Sequence, residues 1–160
     1  AGKIQYDKKT FDISSIVQGV IEAFKQNAEK KKIDLALKKP QKLPPIFGDA
    51  DKLREAVVNL VDNAIKYTPI DGNIAISLEP KGKKILLSVK DDGIGISSAD
   101  VSKLFMKFSR TEEARKVDQN GMGIGLYFVK RIVEDHGGRV WVESEGLNKG
   151  STFFIELPIK

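Results

Sequence analysis

The stretch from Leu53 to Tyr67, Leu-Arg-Glu-Ala-Val-Val-Asn-Leu-Val-Asp-Asn-Ala-Ile-Lys-Tyr, limits what this chain can fold into. At 3.6 residues per turn, Leu53, Val57, Leu60 and Ala64 form one apolar stripe. Asn59, Asn63 and Lys66 form a second row, roughly on the opposite side. The stripe must pack against other elements. Two carboxamides and an ammonium on the opposite ridge are unusual for a well-buried helix, because a carboxamide is costly to bury unless it is paired. Taken alone, the row reads as a solvated face. Two glycine-rich loops further along, each joined to regular structure, turn it into a candidate binding face.

The chain has 160 residues, enough for one domain with a real core. It has no apolar run near the 18 residues of a membrane span and no visible signal peptide. With no cysteine, disulfides and thiolate metal sites are excluded, and a reducing, cytoplasmic compartment is expected. Ala1 in place of an initiator methionine fits a piece of a longer protein, whose parent could be membrane-anchored. The net charge of +5 comes largely from short scattered clusters such as Lys30-Lys31-Lys32 and Lys81 to Lys84. These are not interleaved with aromatics as a nucleic-acid platform would need, so neither nucleic acid nor membrane contact is expected.

Residues 1–11 read as a polar, extended junction with a missing upstream segment, and 12–160 as a single domain. Asp12 is placed to cap a helix carrying Ile13, Val17, Val20, Ile21 and Phe24, which ends near the lysine triplet. Alternation predicts a strand over 33–38. Pro40, Pro44 and Pro45 read as a connector. Asp49 caps the central helix and Pro69 ends it. Strands through Ile74, Ile76, Leu78 and through Ile85, Leu87, Val89 are joined by a turn at 80–83. A short helix is expected around 98–104, then a long polar loop. A third long helix opens at Gly121-Met-Gly-Ile-Gly125-Leu126, carries Val129, Ile132 and Val133 inward, and stops at Gly137-Gly138. Strands over 139–144 and 151–157 complete the chain. This order predicts an α/β class, an α+β two-layer sandwich. Its sheet would be mixed and mostly antiparallel, with about five strands and three main helices on one face.

A glycine-rich helix start offers free N–H groups and a partial positive charge to phosphates. It lacks the preceding strand of a dinucleotide fingerprint and the Gly-Lys-Ser/Thr of a P-loop. Asp91 ends a strand just before Gly93 and Gly95, where a carboxylate can accept from an amino group and the glycines let a flat ring come close. His136, the only histidine, falls at a helix C-terminus, where a cation is favourable. It reads as structural.

Asn59-x-x-x-Asn63, Asp91-x-Gly93-x-Gly95, Phe105-x-x-Phe108 and Gly121-x-Gly123-x-Gly125-Leu126, in this order, resemble the N, G1, F and G2 boxes of the catalytic, ATP-binding domain of sensor histidine kinases. Gly150-Ser151-Thr152-Phe153 resembles that family's last box. The resemblance covers essentially the whole chain and implies the sandwich shared with gyrase, the ninety-kilodalton heat-shock chaperone and mismatch-repair ATPases. It implies ATP and Mg²⁺ as cofactors, with Asp91 on the adenine amino group, Asn63 on Mg²⁺ and Asn59 supporting phosphates or metal. Lys66, Arg110 and Gly121, Gly123 and Gly125 would meet phosphate, and Tyr67 would pack on the nucleoside. Gly93, Gly95, Ile96, Phe108, Met122, Leu126 and Thr152 would complete the nucleotide site, and 105–122 would be a lid. Asn59, Lys66 and Arg110 would be the catalytic set. The implied partners are a dimerisation and histidine-phosphoacceptor hairpin of the same parent and a response-regulator receiver domain. ATP-hydrolysing relatives and related serine kinases carry Glu where Asn59 stands, and a carboxamide is no useful base near neutral pH. An anti-sigma-type serine kinase is therefore disfavoured. A silent ATP-binding scaffold is the other rival.

Overall fold

The computed structural model describes residues 3–106, 110–111 and 125–159. Helix α1 (Ile13–Lys30) starts where the Asp12 carboxylate accepts from the Ser14 N–H, and α2 (Ala50–Tyr67) where Asp49 accepts from the Lys52 N–H. A short α3 spans Ser98–Val101 and α4 spans Gly125–Asp135. Strands β2 (Asp34–Lys38), β4 (Asn73–Lys81), β5 (Lys84–Asp91), β6 (Arg139–Glu143) and β7 (Ser151–Pro158) form one sheet in the order β2-β4-β5-β7-β6. The β2–β4 pair is parallel and the others are antiparallel, so the sheet is mixed and mostly antiparallel as expected.

Alternation assigns the two faces of the sheet. Ile74, Ile76, Leu78, Ile85, Leu87, Val89, Phe153, Ile155 and Leu157 are buried, while Ala75 and Lys90 between them are exposed. The buried row packs with Leu53, Val57, Leu60 and Ala64 of α2, with α1 and with α4 in one cluster. Leu60, at 1% exposure, and the large aliphatic side chains Leu53 and Val57 each contribute roughly 1.5–3 kcal/mol by leaving water. The stripe read from sequence is thus the seam of the two layers. Asn59 and Asn63 stay half-buried and Lys66 exposed on its far side.

Two features differ from the sequence reading. The expected junction and the proline connector are linked: β1 (Lys9–Phe11) pairs antiparallel with β3 (Ile46–Gly48), a second, two-stranded sheet. Ahead of it, Asp7 N–H donates to the Asp49 carboxylate (2.8 Å), Tyr6 Oη donates to Asp135 (2.5 Å) and Lys8 Nζ to the Asp135 carbonyl (3.1 Å). The short helix also ends earlier than expected, at Val101.

His136 is structural, but it is not a helix-end cation. Its Nε2 accepts the Asp49 N–H (2.9 Å), which leaves Nδ1–H to donate to the Ile132 carbonyl (2.7 Å). That is the neutral imidazole, and burial pushes its pKa below the ordinary histidine value.

Candidate functional site

Several of the residues singled out in sequence lie where the C-terminal end of α2 passes the end of β5. Asp91, the last residue of β5, faces the helices and is only 6% exposed. Its Oδ1 accepts the N–H of Gly93 (2.8 Å) and of Ser151 (3.3 Å), and its Oδ2 accepts the Ser151 hydroxyl (3.0 Å). Burial pushes this carboxyl above the ordinary carboxylate range. The Gly93 and Ser151 donors pull it back, and the Asp92 charge adds to the upward push. A carboxylate held that way gains from one more donor. Asp92 itself points elsewhere, accepting from the N–H (2.8 Å) and amide (3.1 Å) of Asn73.

The loop after Asp91 is tied on both sides. Ile94 N–H donates to the Tyr67 carbonyl (3.2 Å), Asn148 N–H to the Ile94 carbonyl (2.7 Å) and Gly150 N–H to the Gly93 carbonyl (3.2 Å). Ile96 N–H donates to Ser144 Oγ (3.1 Å) and Ile96 is buried. The protein's own backbone already requires glycine at both positions, 93 and 95. Gly95, at φ 69°, lies against the Gly146 carbonyl, and a Cβ on Gly93 would come within 2.7 Å of the Tyr67 carbonyl.

On α2, Asn59 Nδ2 donates to the Glu55 carbonyl (3.0 Å) and its Oδ1 abuts Gly125, where a Cβ would come within 2.6 Å. The first turn of α4 is thereby held against the carboxamide row. The Asn63 carboxamide has no hydrogen-bond partner among the described residues. Lys66 pairs with Asp62 (3.2 Å), one turn earlier. Tyr67, Arg110 and Leu126 are half-buried. Phe108, Gly121, Met122 and Gly123 lie outside the described residues, as does most of the expected lid. Thr152 faces the other way: it pairs with Lys90 and Glu143 on the outer side of the sheet. Ser151, opposite Asp91 across the β5–β7 ladder, is the hydroxyl that reaches the carboxylate. The signal for it was available, since Ser151 shares the parity of Phe153, Ile155 and Leu157, whereas Thr152 does not.

A buried strand-end carboxylate and an Asn–Asn–Lys helix ridge thus lie under one face of a mixed sheet, in a two-layer α/β sandwich. Residues 48–160 match the family described as histidine kinase-, DNA gyrase B- and HSP90-like ATPase, and the chain belongs to it. It is 41% identical over 145 residues to the adaptive-response sensory kinase SasA of Synechococcus elongatus, covering 90% of this chain and 37% of that protein. The structure of full-length ShkA in complex with AMPPNP superposes with a TM-score of 0.84 at 29% identity, over 99% of this chain and 32% of that one. Histidine kinase ThkA in complex with the response regulator TrrA gives 0.81 at 26%, over 97% of this chain and 42% of that one. The chain is a catalytic domain of the sensor-histidine-kinase type and spans well under half the length of these relatives. The serine-kinase alternative is not favoured.

Proposed function

We propose that this domain binds ATP with Mg²⁺ and delivers the γ-phosphoryl group to a histidine on a separate helical hairpin of its parent protein, for relay to a receiver domain in the cytoplasm. The observation that carries the reading is the buried Asp91 carboxylate at the end of β5, which would take a donor such as the 6-amino group of adenine. ShkA binding AMPPNP and ThkA binding a response regulator support the reading. No helix among the described residues is long and apolar enough to cross a membrane.

The residues present fit both cofactors. Among the described residues no cluster of three or more His, Cys, Asp or Glu could cage a metal ion. The Asn63 amide oxygen would be a protein ligand to a Mg²⁺ that enters with phosphate oxygens and keeps its waters. Bound ATP supplies the phosphoryl group and Mg²⁺ neutralises charge. The protein's part is positioning: Asp91 would hold the base and Asn63 the metal, and Lys66, Arg110 and the α4 start would meet the phosphates. Asn59 brings no base for water, which suits a nucleophilic imidazole that carries its own lone pair. His136 cannot be that acceptor. Both its nitrogens are bonded, and it stands about 11 residues, roughly 16 Å, from the start of α4.

Calorimetry should show ATP preferred over GTP by roughly 5- to 150-fold, since the guanine 6-oxo group leaves Asp91 facing an acceptor. Equal binding overturns the adenine assignment. With γ-labelled ATP, the domain alone should stay unlabelled, and adding the hairpin should give acid-labile label on its histidine. Acid-stable label on a serine or threonine of the domain would revive the serine kinase. Binding without transfer to a cognate hairpin would favour the scaffold.

A further inference from the structure

The last turn of α2 carries four carbonyls that no helical N–H can reach, and all four have partners. Ala64 O accepts from Thr68 N–H (3.1 Å) and Tyr67 O from Ile94 N–H (3.2 Å). The two between them, Ile65 O (2.8 Å) and Lys66 O (3.2 Å), both accept from the ammonium of Lys31. Lys31 is the residue that closes α1, 34 positions upstream of Ile65. Its own carbonyl accepts the Asp71 N–H (3.0 Å), so it grips both the end of α2 and the turn behind it. A half-buried ammonium bonded to two carbonyls at the negative end of a helix dipole is well compensated.

That turn is also where α2 meets the nucleotide site. It carries Lys66 and Tyr67, and the Tyr67 carbonyl is bonded to Ile94. Gly93 is wedged so closely that a Cβ on it would come within 2.7 Å of both the Tyr67 carbonyl and Asp91 Oδ1. A shift of the last turn therefore has no slack to absorb it before it reaches the loop that aims Asp91.

We propose that Lys31 is a positioning residue for the nucleotide site: its ammonium sets the last turn of α2 and, through the Tyr67 carbonyl and the Gly93–Ile94 loop, the aim of the Asp91 carboxylate. Lys31 reaches the ligand only through these groups. The proposal rests on Asp91 as the acceptor for the adenine amino group.

Lys31→Met keeps the stem and removes the donors, and Lys31→Arg restores a donating cation. Binding of ATP and of GTP is measured by calorimetry for wild type and both variants, at a temperature where circular dichroism shows each folded. Lys31→Met should weaken ATP about tenfold and shrink the ATP-to-GTP preference, with Lys31→Arg recovering most of both. A cap serving stability alone would lower the melting temperature and leave affinity and preference untouched. ATP affinity and preference within about twofold of wild type in folded Lys31→Met overturn the proposal. Should that variant not fold, Lys31→Gln, with one amide on a shorter stem, takes its place under the same criterion. A wild type that binds ATP and GTP equally overturns the Asp91 assignment and this proposal with it. A discriminating wild type beside an unaffected variant overturns this proposal alone.

Discussion

Asp49 and Asp91 are two carboxylates of almost equal exposure, 8% and 6%, each at an element boundary and each accepting backbone N–H groups. Their chemistry diverges. For Asp49, burial pushes the pKa up, but backbone donors from Asp7, Lys52 and Asp51 outweigh it, and the net shift is downward. It also sits at the positive end of α2. Asp91 is enclosed more deeply, has the Asp92 charge beside it, and shifts upward. Exposure alone does not separate a carboxylate whose surroundings favour its charge from one whose surroundings oppose it; the balance of donors and charge around it does.

The widest separation between the two should come from removing each in turn. Asp91→Asn should weaken ATP by roughly 5- to 150-fold and leave the melting temperature unchanged or raised. Asp49→Ala should cost about 1–2 kcal/mol in denaturant unfolding, in the upper range of lost N-caps, with ATP affinity of the folded protein intact. If Asp91→Asn is as destabilising as Asp49→Ala, Asp91 is a structural residue and the contrast collapses.

A smaller effect should follow Ser151→Ala. Losing one hydroxyl donor, worth about 1 kcal/mol, should weaken ATP roughly fivefold and raise the pH at which Asp91 protonates. Thr152→Ala, on the outer face of the sheet, should change neither, and isothermal titration of the two variants side by side sharpens the assignment.

The subtlest contrast is in pH. Asp91 has a raised pKa in the fold, so its contribution to stability is fully present below the ordinary carboxylate value and lost as pH rises through the raised one. Asp49 has a lowered pKa, so its contribution is present above the ordinary value and lost as pH falls through the lowered one. Difference curves of unfolding free energy, wild type minus Asp91→Asn and wild type minus Asp49→Asn, should slope in opposite directions across the acid range. ATP affinity should begin to fall on acidification above the ordinary carboxylate range. Parallel slopes would erase the distinction.

What could be read in advance follows from how local each signal is. The α2 seam, its Asp49 cap and the strands around Ile76 and Leu87 were legible because periodicity and capping act within a few residues. Asp91 was legible because a strand ending in an acid before two glycines is compact in sequence. The β1–β3 pairing was not, since three-residue strands some 35 positions apart carry no period, and prolines mask one of them. The neutral state of His136 was missed for a similar reason: its decisive donor, the Asp49 N–H, lies 87 residues away. That Ser151, and not its neighbour Thr152, reaches Asp91 depends on strand parity, which is the only thing that distinguishes adjacent hydroxyls.

The β5–β7 ladder runs through eight consecutive pairs from Lys84↔Pro158 to Asp91↔Ser151. Were β7 to pair one residue out of step, Ser151 would leave the carboxylate, and Phe153, Ile155 and Leu157 would turn to the solvent side together. An error in placing Ser151 beside Asp91, and with it the proposed base site, is therefore always an error of the hydrophobic layer as well. Such a molecule would expose the greasy surface by which chaperones and proteases recognise unfinished proteins, so the same strand that completes the site also acts as its inspector.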